Sequence, residues 1–322
     1  MVVANLFSGV NPADIKHATH LGIRSTVLGY DFCGRVITPP DGSKFREGDI
    51  VAGYTPSGLG RPKKYGTHQG LIAVPENMAF KVPPSQPRSH AAALPVVAMT
   101  AADVIFNLFS LPLPTQPAEH LRPVLIWGAS TSVGICALQF ARASGCRNIL
   151  VTASAARHDL LKSLGATSAF DYSSPTVISD IATAVDVIGQ GPISHAFDAV
   201  GSSGDLSSAS MVAQCVTDPE TVLSSVVLQQ DPRFQMPVAM TKDDWEIHPP
   251  GAPGPVRIPA RPQHHWHAWE ALQWAAENYG KGFQLPSVEV FQGTGEEALQ
   301  QVLQVSNGKR GFGKLVIEQP MR

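Results

Sequence analysis

The stretch that most constrains this chain runs from Arg122 to Arg142, Arg-Pro-Val-Leu-Ile-Trp-Gly-Ala-Ser-Thr-Ser-Val-Gly and then Ile-Cys-Ala-Leu-Gln-Phe-Ala-Arg. Val124 to Trp127 is an apolar run of strand length, the residues after it are small, and Val133, Cys136, Ala137, Phe140 and Ala141 recur at helical spacing. The reading is strand, tight turn, helix. Small side chains let the backbone of such a turn approach a pyrophosphate, and the N–H groups at the head of the helix favour an anion. Ser130 and Thr131 stand where a G-x-G-x-x-G turn usually carries glycine, so this stretch leaves nucleotide binding and an ordinary βα turn of an enzyme core both open.

A second strand, Asn148 to Ser154, begins about 20 residues after Gly128, where a dinucleotide fold makes its ribose contact. It ends in Ser154-Ala155-Ala156-Arg157-His158, with no carboxylate before Asp159. An acid there would bind a free ribose 2′-hydroxyl and repel a 2′-phosphate, whereas hydroxyl and guanidinium groups do the reverse. The residues therefore favour NADP(H) over NAD(H), or else form a solvated helix start capped by Ser154.

Further strands are expected at 168–172, 195–201 and 221–228, with helices closing at Gly165, over 178–188 and around 205–214. This alternation implies a doubly wound parallel sheet whose ligand lies beyond the carboxyl ends of its strands. Residues 1–95 read as β-rich, with strands at 31–37 and after the turn at Glu47-Gly48-Asp49. An Ala-rich helix at 90–94 is expected to break at Pro95 and resume from Thr100 to Leu108. Residues 230–263 show no evident structure and read as a disordered loop or a lid. Beyond them we expect helices at 266–279 and 296–305 and strands at 288–291 and 314–318, with the tryptophans of the first helix in the core.

The content of 43% hydrophobic residues over 322 suits two domains, and 24 basic against 26 acidic residues leave no basic run that could follow a nucleic acid or anchor on lipid. The start of the chain lacks the pattern of a signal peptide, and a soluble, cytoplasmic protein is expected. Cys33, Cys136, Cys146 and Cys215 show no C-x-x-C spacing, and Cys33 reads as a core residue. His264, His265 and His267 have no accompanying carboxylate or thiolate cluster, so no metal site is expected.

Seven segments occur in the order found in medium-chain dehydrogenases/reductases. They are Gly9–Lys16 (GVNPADIK), Gly29–Gly34 (GYDFCG), Glu47–Val51, Ala91–Pro95, Gly128–Gly134, Phe170–Tyr172 and Gly313–Val316. The chain resembles the zinc-free, quinone-reductase-like branch. Ser130 and Thr131, Leu111-Pro112-Leu113-Pro114 and Thr241-Lys242-Asp243-Asp244-Trp245 make it most similar to fungal trans-acting enoyl reductases that serve polyketide synthases.

That resemblance implies an α/β protein with a central Rossmann domain, residues 96–263, and a GroES-like catalytic domain from residues 1–95 and 264–322. It places Ala13, Asp14 and Lys16 at the nicotinamide half of NADPH, with Leu228, Phe312 and Gly313 completing that pocket. Gly128, Ala129, Ser130, Thr131, Ser132 and Val133 would hold the pyrophosphate; Ser154, Arg157, His158 and Tyr172 would take the 2′-phosphoribose and adenine side. Asp14 and Lys16 read equally as a surface ion pair or turn residues. Pro95, Val96, Val97, Ala98, Met99, Thr100, Trp245, Ile247 and His248 would line the substrate channel, with Lys16, Thr100 or solvent as proton donor.

The implied activity is reduction of an α,β-unsaturated thioester at its β-carbon by NADPH, in trans with a polyketide synthase or its acyl-carrier domain, by a monomer or weak dimer. The alternatives are an NADPH:quinone oxidoreductase and a non-catalytic nucleotide-binding partner of a synthase. Relatives carry residues ahead of the Asn-Pro-x-Asp motif that this sequence lacks, so either the β-rich domain is pared down or the sequence is truncated at its amino end, and unpaired strand edges are expected.

Overall fold

The computed structural model describes residues 1–204, 206–238 and 242–322. The described residues form two compact units, one of residues 1–96, 242–265 and 275–322 and the other of residues 97–238 and 266–274.

The chain starts in the first unit with β1 (Val2–Gly9), α1 (Ala13–His20), β2 (Asp31–Thr38), β3 (Ile50–Tyr54), β4 (Leu71–Ala73), β5 (Ala79–Lys81) and α2 (Arg88–Ala93). The next helix, α3 (Pro95–Ala102), does not break at Pro95 as expected but begins there. Proline suits a first helical position because its missing N–H would have no intrahelical acceptor. The helix then widens into a π-helical turn, Asp103–Leu108.

The second unit continues with β6 (Val124–Trp127), α4 (Ser132–Ser144), β7 (Ile149–Ala153), α5 (His158–Leu164) and β8 (Ser168–Asp171). After these come α6 (Val177–Ile188), β9 (His195–Asp198), α7 (Ser208–Cys215), β10 (Val222–Ser225) and β11 (Phe234–Gln235). The order across the sheet is β11-β10-β9-β6-β7-β8, with every neighbour parallel. All four residues of β6 and all five of β7 are buried, as strands covered on both faces must be. Leu125, Leu150, Ile181, Ala196, Val212 and Leu223 share one core cluster. Strand order reverses between β6 and β9, which opens a crevice at their carboxyl ends. The helix expected around 205–214 starts at Ser208 with Ser207 as its cap; Asp205 lies outside the described residues.

The remaining elements are β12 (Trp245–Ile247), β13 (Val256–Ile258), α8 (Pro262–Glu277), β14 (Val288–Phe291), α9 (Gly295–Ser306) and β15 (Lys314–Glu318). The structureless loop expected over 230–263 is thus corrected, since it contains β11 and an antiparallel hairpin of β12 and β13. Thr241 of the segment used for the resemblance lies outside the described residues. The expected domain limit at 263 is also corrected. Residues 242–263 belong with the β-rich unit, because the N–H of His248 donates to Leu21 O at 2.8 Å and that of Leu59 to Glu246 O at 2.9 Å.

The sheet of the first unit runs β14-β15-β1-β2-β3-β5, with β4 also on β1. β1 is paired on both sides, to β2 on one and to β4 and β15 on the other, so the unpaired edges expected around it do not occur. Val3, Phe32, Val36, Val51 and Ile72 pack one core of this unit, and Val10, Ala298, Val302, Leu315 and Ile317 a second beneath α9. Thr294 caps α9 in a reciprocal capping box with Glu297. Among the described residues no helix is long and apolar enough to cross a membrane.

Candidate active site

The turn between β6 and α4 forms a backbone cradle. Gly128 has φ of +78°, and a Cβ on it would lie 2.2 Å from Val200 Cγ2, so only glycine fits under that loop. Its N–H donates to Thr152 O and Thr152 Oγ1 at 3.1 and 3.0 Å. Thr131, where glycine is common, serves as the N-cap of α4. Its Oγ1 accepts from Gly134 N at 3.0 Å and donates to Ala199 O at 3.1 Å. The N–H groups of Ser132 and Val133, first in α4, have no partner among the described residues and point toward the positive end of the helix dipole. Ala129 is buried beneath the turn, while residues 130–133 keep accessible surface.

A carboxylate that sequence reasoning missed holds the loop above this turn. Asp198, fully buried, accepts from Val200 N at 3.0 Å, Gly201 N at 3.1 Å and Ser225 Oγ at 2.9 Å. Its signal in the sequence was Asp-x-x-Gly at the end of a buried strand.

Ser154 follows β7 and is exposed, Arg157 is half-buried, and His158 Nε2 lies 3.2 Å from Ala153 O. Tyr172 follows β8 and is 54% exposed; Leu228, beyond β10, is 81% exposed. Parallel pairing sets Ala153 beside Asp171, so the structure brings Ser154 and Tyr172 to the same end of adjacent strands. It also brings an acid, which corrects the expectation of a carboxylate-free ribose region. Asp171 accepts from the Ser173 hydroxyl and N–H at 2.7 and 2.9 Å, and these bonds, with the charge of His158, hold its carboxyl below the usual range.

In the first unit, Asp14 is 3% exposed, not a surface residue. Its Oδ2 accepts from Asn11 N at 2.8 Å and lies 3.2 Å from His68 Nε2; His68 Nδ1 is 2.9 Å from Ser8 Oγ. Asp14 Oδ1 is buried with no partner among the described residues. Behind it Asn11 Nδ2 donates to Asp31 Oδ2 and Val96 N to Asp31 Oδ1, each at 2.8 Å, while Lys314 Nζ donates to Asn11 Oδ1. Burial pushes the Asp31 carboxyl up to about 6 against the pull of Lys314. His68, Asp31 and Lys314 are the partners the sequence did not single out.

Ala13 and Lys16 share α1 with Asp14, but Lys16 is exposed. Phe312 is half-buried, and Gly313, φ +115°, leads into β15. On α3, Val97 is 4% exposed and Ala98 and Met99 are fully buried, so these three expected channel residues are core; Val96 and Thr100 keep partial access. Ile247 is buried likewise, and His248 is exposed with Nε2 3.1 Å from Ala252 O. Trp245 lines a cleft of about 340 Å³ with Ser57, Gly58, Leu59, Asp244, Glu246 and Arg257.

Among the described residues no group of three or more His, Cys, Asp or Glu side chains could hold a metal ion. Burial pushes the thiols of Cys33, Cys146 and Cys215 up to about 12, so none offers a thiolate. The three histidines of α8 diverge: His265 lies near Tyr54 Oη, and His267 near Asn107 Oδ1.

A parallel six-stranded sheet with a cradle at its switch point, in a chain whose other unit is built on a mainly antiparallel sheet, defines a dinucleotide-binding oxidoreductase scaffold. Residues 1–84 match the alcohol dehydrogenase GroES-like domain and residues 132–240 the zinc-binding dehydrogenase family. The described residues do not fit the metal of the latter description. The dehydrogenase orf1 of Aspergillus niger is 30% identical over 305 residues, 91% of this chain and 82% of that protein. The trans-enoyl reductase himH of Aspergillus japonicus is 32% identical over 207 residues, so the match spans 63% of this chain and 59% of that relative. An alcohol dehydrogenase superfamily protein from Novosphingobium aromaticivorans shares the fold at a TM-score of 0.71 and 22% identity, covering 99% of this chain and 91% of that one. The chain belongs to the medium-chain dehydrogenase/reductase superfamily.

Proposed function

We propose that this protein is an NADPH-dependent reductase of an α,β-unsaturated polyketide thioester, acting in trans with a polyketide synthase or its acyl-carrier domain. The observation that carries the reading is the cradle, where Gly128 turns at φ +78° and the N–H groups of Ser132 and Val133 await acceptors. The enoyl substrate is taken from the name of the himH relative. A reduced nicotinamide supplies the hydride for such a reaction.

The chain's residues bind and orient. Ser132 and Val133 hold the pyrophosphate through N–H groups. Arg157 and Ser154 take the 2′-phosphate, with Tyr172 along the adenine and Leu228 on the nicotinamide side. Asp171, whose Oδ1 accepts from Ser173, stays ionised and opposes a 2′-phosphate, so Arg157 must outweigh it. The buried Asp14 is held by Asn11 N and His68 Nε2, and this position replaces the surface-pair reading.

The test is incubation with NADPH and either crotonyl-pantetheine or a simple quinone, following the absorbance of the reduced nicotinamide. Loss with the thioester is expected. Loss with the quinone alone makes the protein a quinone oxidoreductase, and tight NADPH binding with neither reaction makes it a non-catalytic partner.

A further inference from the structure

A second polar cluster of the first unit takes no part in the sites above. Tyr30, 6% exposed, has its Oη 2.8 Å from His17 Nδ1 and accepts from Ser57 Oγ at 3.3 Å; Ser57 Oγ is itself 3.2 Å from His17 Nδ1. Three groups that can hand a proton to one another thus meet within hydrogen-bond reach. Ser57 also lines the cleft of about 340 Å³ whose walls include Leu59 and Trp245. The cluster therefore has one end in the protein and one end open to a ligand.

Under it lies an unusual charge. Arg61 is 6% exposed, and its guanidinium stands 4.2 Å from the centre of the Tyr30 ring. It donates to Pro56 O, Val27 O, Gly29 O, Tyr65 O and Thr55 Oγ1 at 2.7 to 2.9 Å, and forms no ion pair among the described residues. A buried cation held only by neutral acceptors is costly to maintain and favours any anion that forms beside it. The anion it is placed to favour is the Tyr30 phenolate. Burial pushes the Tyr30 phenol up despite Arg61, so it carries its proton at neutral pH, and burial holds the His17 imidazole down at about 4, so it is neutral.

We propose that Ser57, backed by Tyr30 and His17, delivers the proton that completes reduction of an acyl thioester seated in this cleft, a role that rests on the enoyl-reductase reading. Reduction at the β-carbon leaves an electron pair shared between the α-carbon and the thioester oxygen. That pair forms the new α C–H bond with the proton of Ser57 Oγ, and the thioester carbonyl re-forms. When the Ser57 hydroxyl turns from Tyr30 to the substrate, the 3.3 Å contact reverses: Ser57 Oγ accepts from Tyr30 Oη and takes its proton, and the phenolate, stabilised by Arg61, recovers a proton from solvent beside the partly accessible His17. Ser57 is the catalytic residue, and Tyr30 and His17 are positioning residues. This assignment is an alternative to Lys16 and Thr100.

The experiment compares the protein with Ser57→Ala, Tyr30→Phe and Ser57→Thr, using NADPH and crotonyl-pantetheine in H₂O and D₂O. Tyr30→Phe keeps the ring over Arg61, and circular dichroism with NADPH titration checks that each variant folds and binds. General-acid loss predicts kcat lower by about 10²-fold in Ser57→Ala and Tyr30→Phe. The solvent isotope effect on kcat should rise above that of the parent, because proton transfer has become limiting, and Ser57→Thr should recover most of the rate. A merely structural role would not move the isotope effect. Folded Ser57→Ala and Tyr30→Phe variants that turn over at the parent's rate with the parent's isotope effect overturn the relay alone. A parent that binds NADPH but does not reduce the thioester overturns the enoyl reading and the relay with it.

Discussion

Gly134→Ala tests the cradle at its tightest point. A Cβ there would lie 2.5 Å from Gly128 O, 2.7 Å from Ala129 Cα and 3.0 Å from Thr131 Oγ1, where ordinary contact begins at 3.4 Å. The two closest atoms are backbone, so nothing can rotate aside, and the first turn of α4 must retreat by about 0.9 Å. Overpacking of this kind costs about 1–3 kcal/mol, and the helical gain of alanine over glycine returns about 1, leaving a net loss of about 0–2 kcal/mol. The larger effect falls on binding. Displacing the Ser132 and Val133 N–H groups by most of an ångström forfeits at least one bond to a charged phosphate, about 2 kcal/mol, or roughly 30-fold in Kd. Calorimetric titration with NADPH and urea unfolding read the two numbers. An NADPH affinity within threefold of the parent would refute the reasoning, because the phosphates would then lie elsewhere.

Replacing Ser154 and Arg157 together by alanine should weaken NADPH at least tenfold while leaving NADH nearly unchanged, measured by fluorescence titration; equal losses would remove both from the 2′-phosphate. Burial depresses the imidazoles of His195 and His17 to about 4, so both are neutral in the folded protein when the unfolded chain begins to take up protons near 6.5. The stability they contribute is complete above 6.5 and is lost as pH falls from 6.5 through 4, and denaturant midpoints over that range should fall less in His195→Gln. Lys314→Met would leave the buried Asp31 without its cation, costing about 3 kcal/mol in urea unfolding; a loss below 1 kcal/mol would mean that Asn11 and Val96 suffice.

The parallel sheet was legible because its strands are buried on both faces, so Val124–Trp127 and Ile149–Ala153 read as continuous apolar runs. The cradle followed from small residues in one local turn. The Thr131 cap was hidden because its value lies in Ala199 O, 68 positions away. Asp171 escaped for the same reason: only the pairing of β7 with β8 sets it beside Ala153. The Asp14–His68 contact spans 54 positions and Lys314–Asn11 spans 303, distances over which no periodicity carries information. The hairpin in 230–263 was missed because its strands have three residues each, too few for alternation to rise above the prolines and glycines around them.

The pairing of β1 with β15, Phe7 opposite Glu318 and Gly9 opposite Val316, has a consequence for the order of assembly. Synthesis at about 5–20 residues per second separates these two strands by roughly 15–60 seconds. Until β15 appears β1 has only β2 and β4 to pair with, and within that interval the contiguous residues of the nucleotide unit leave the ribosome and can fold. The GroES-like sheet therefore becomes whole only after the nucleotide unit has been made, and a partner that recognises the complete sheet meets it only once β15 has emerged.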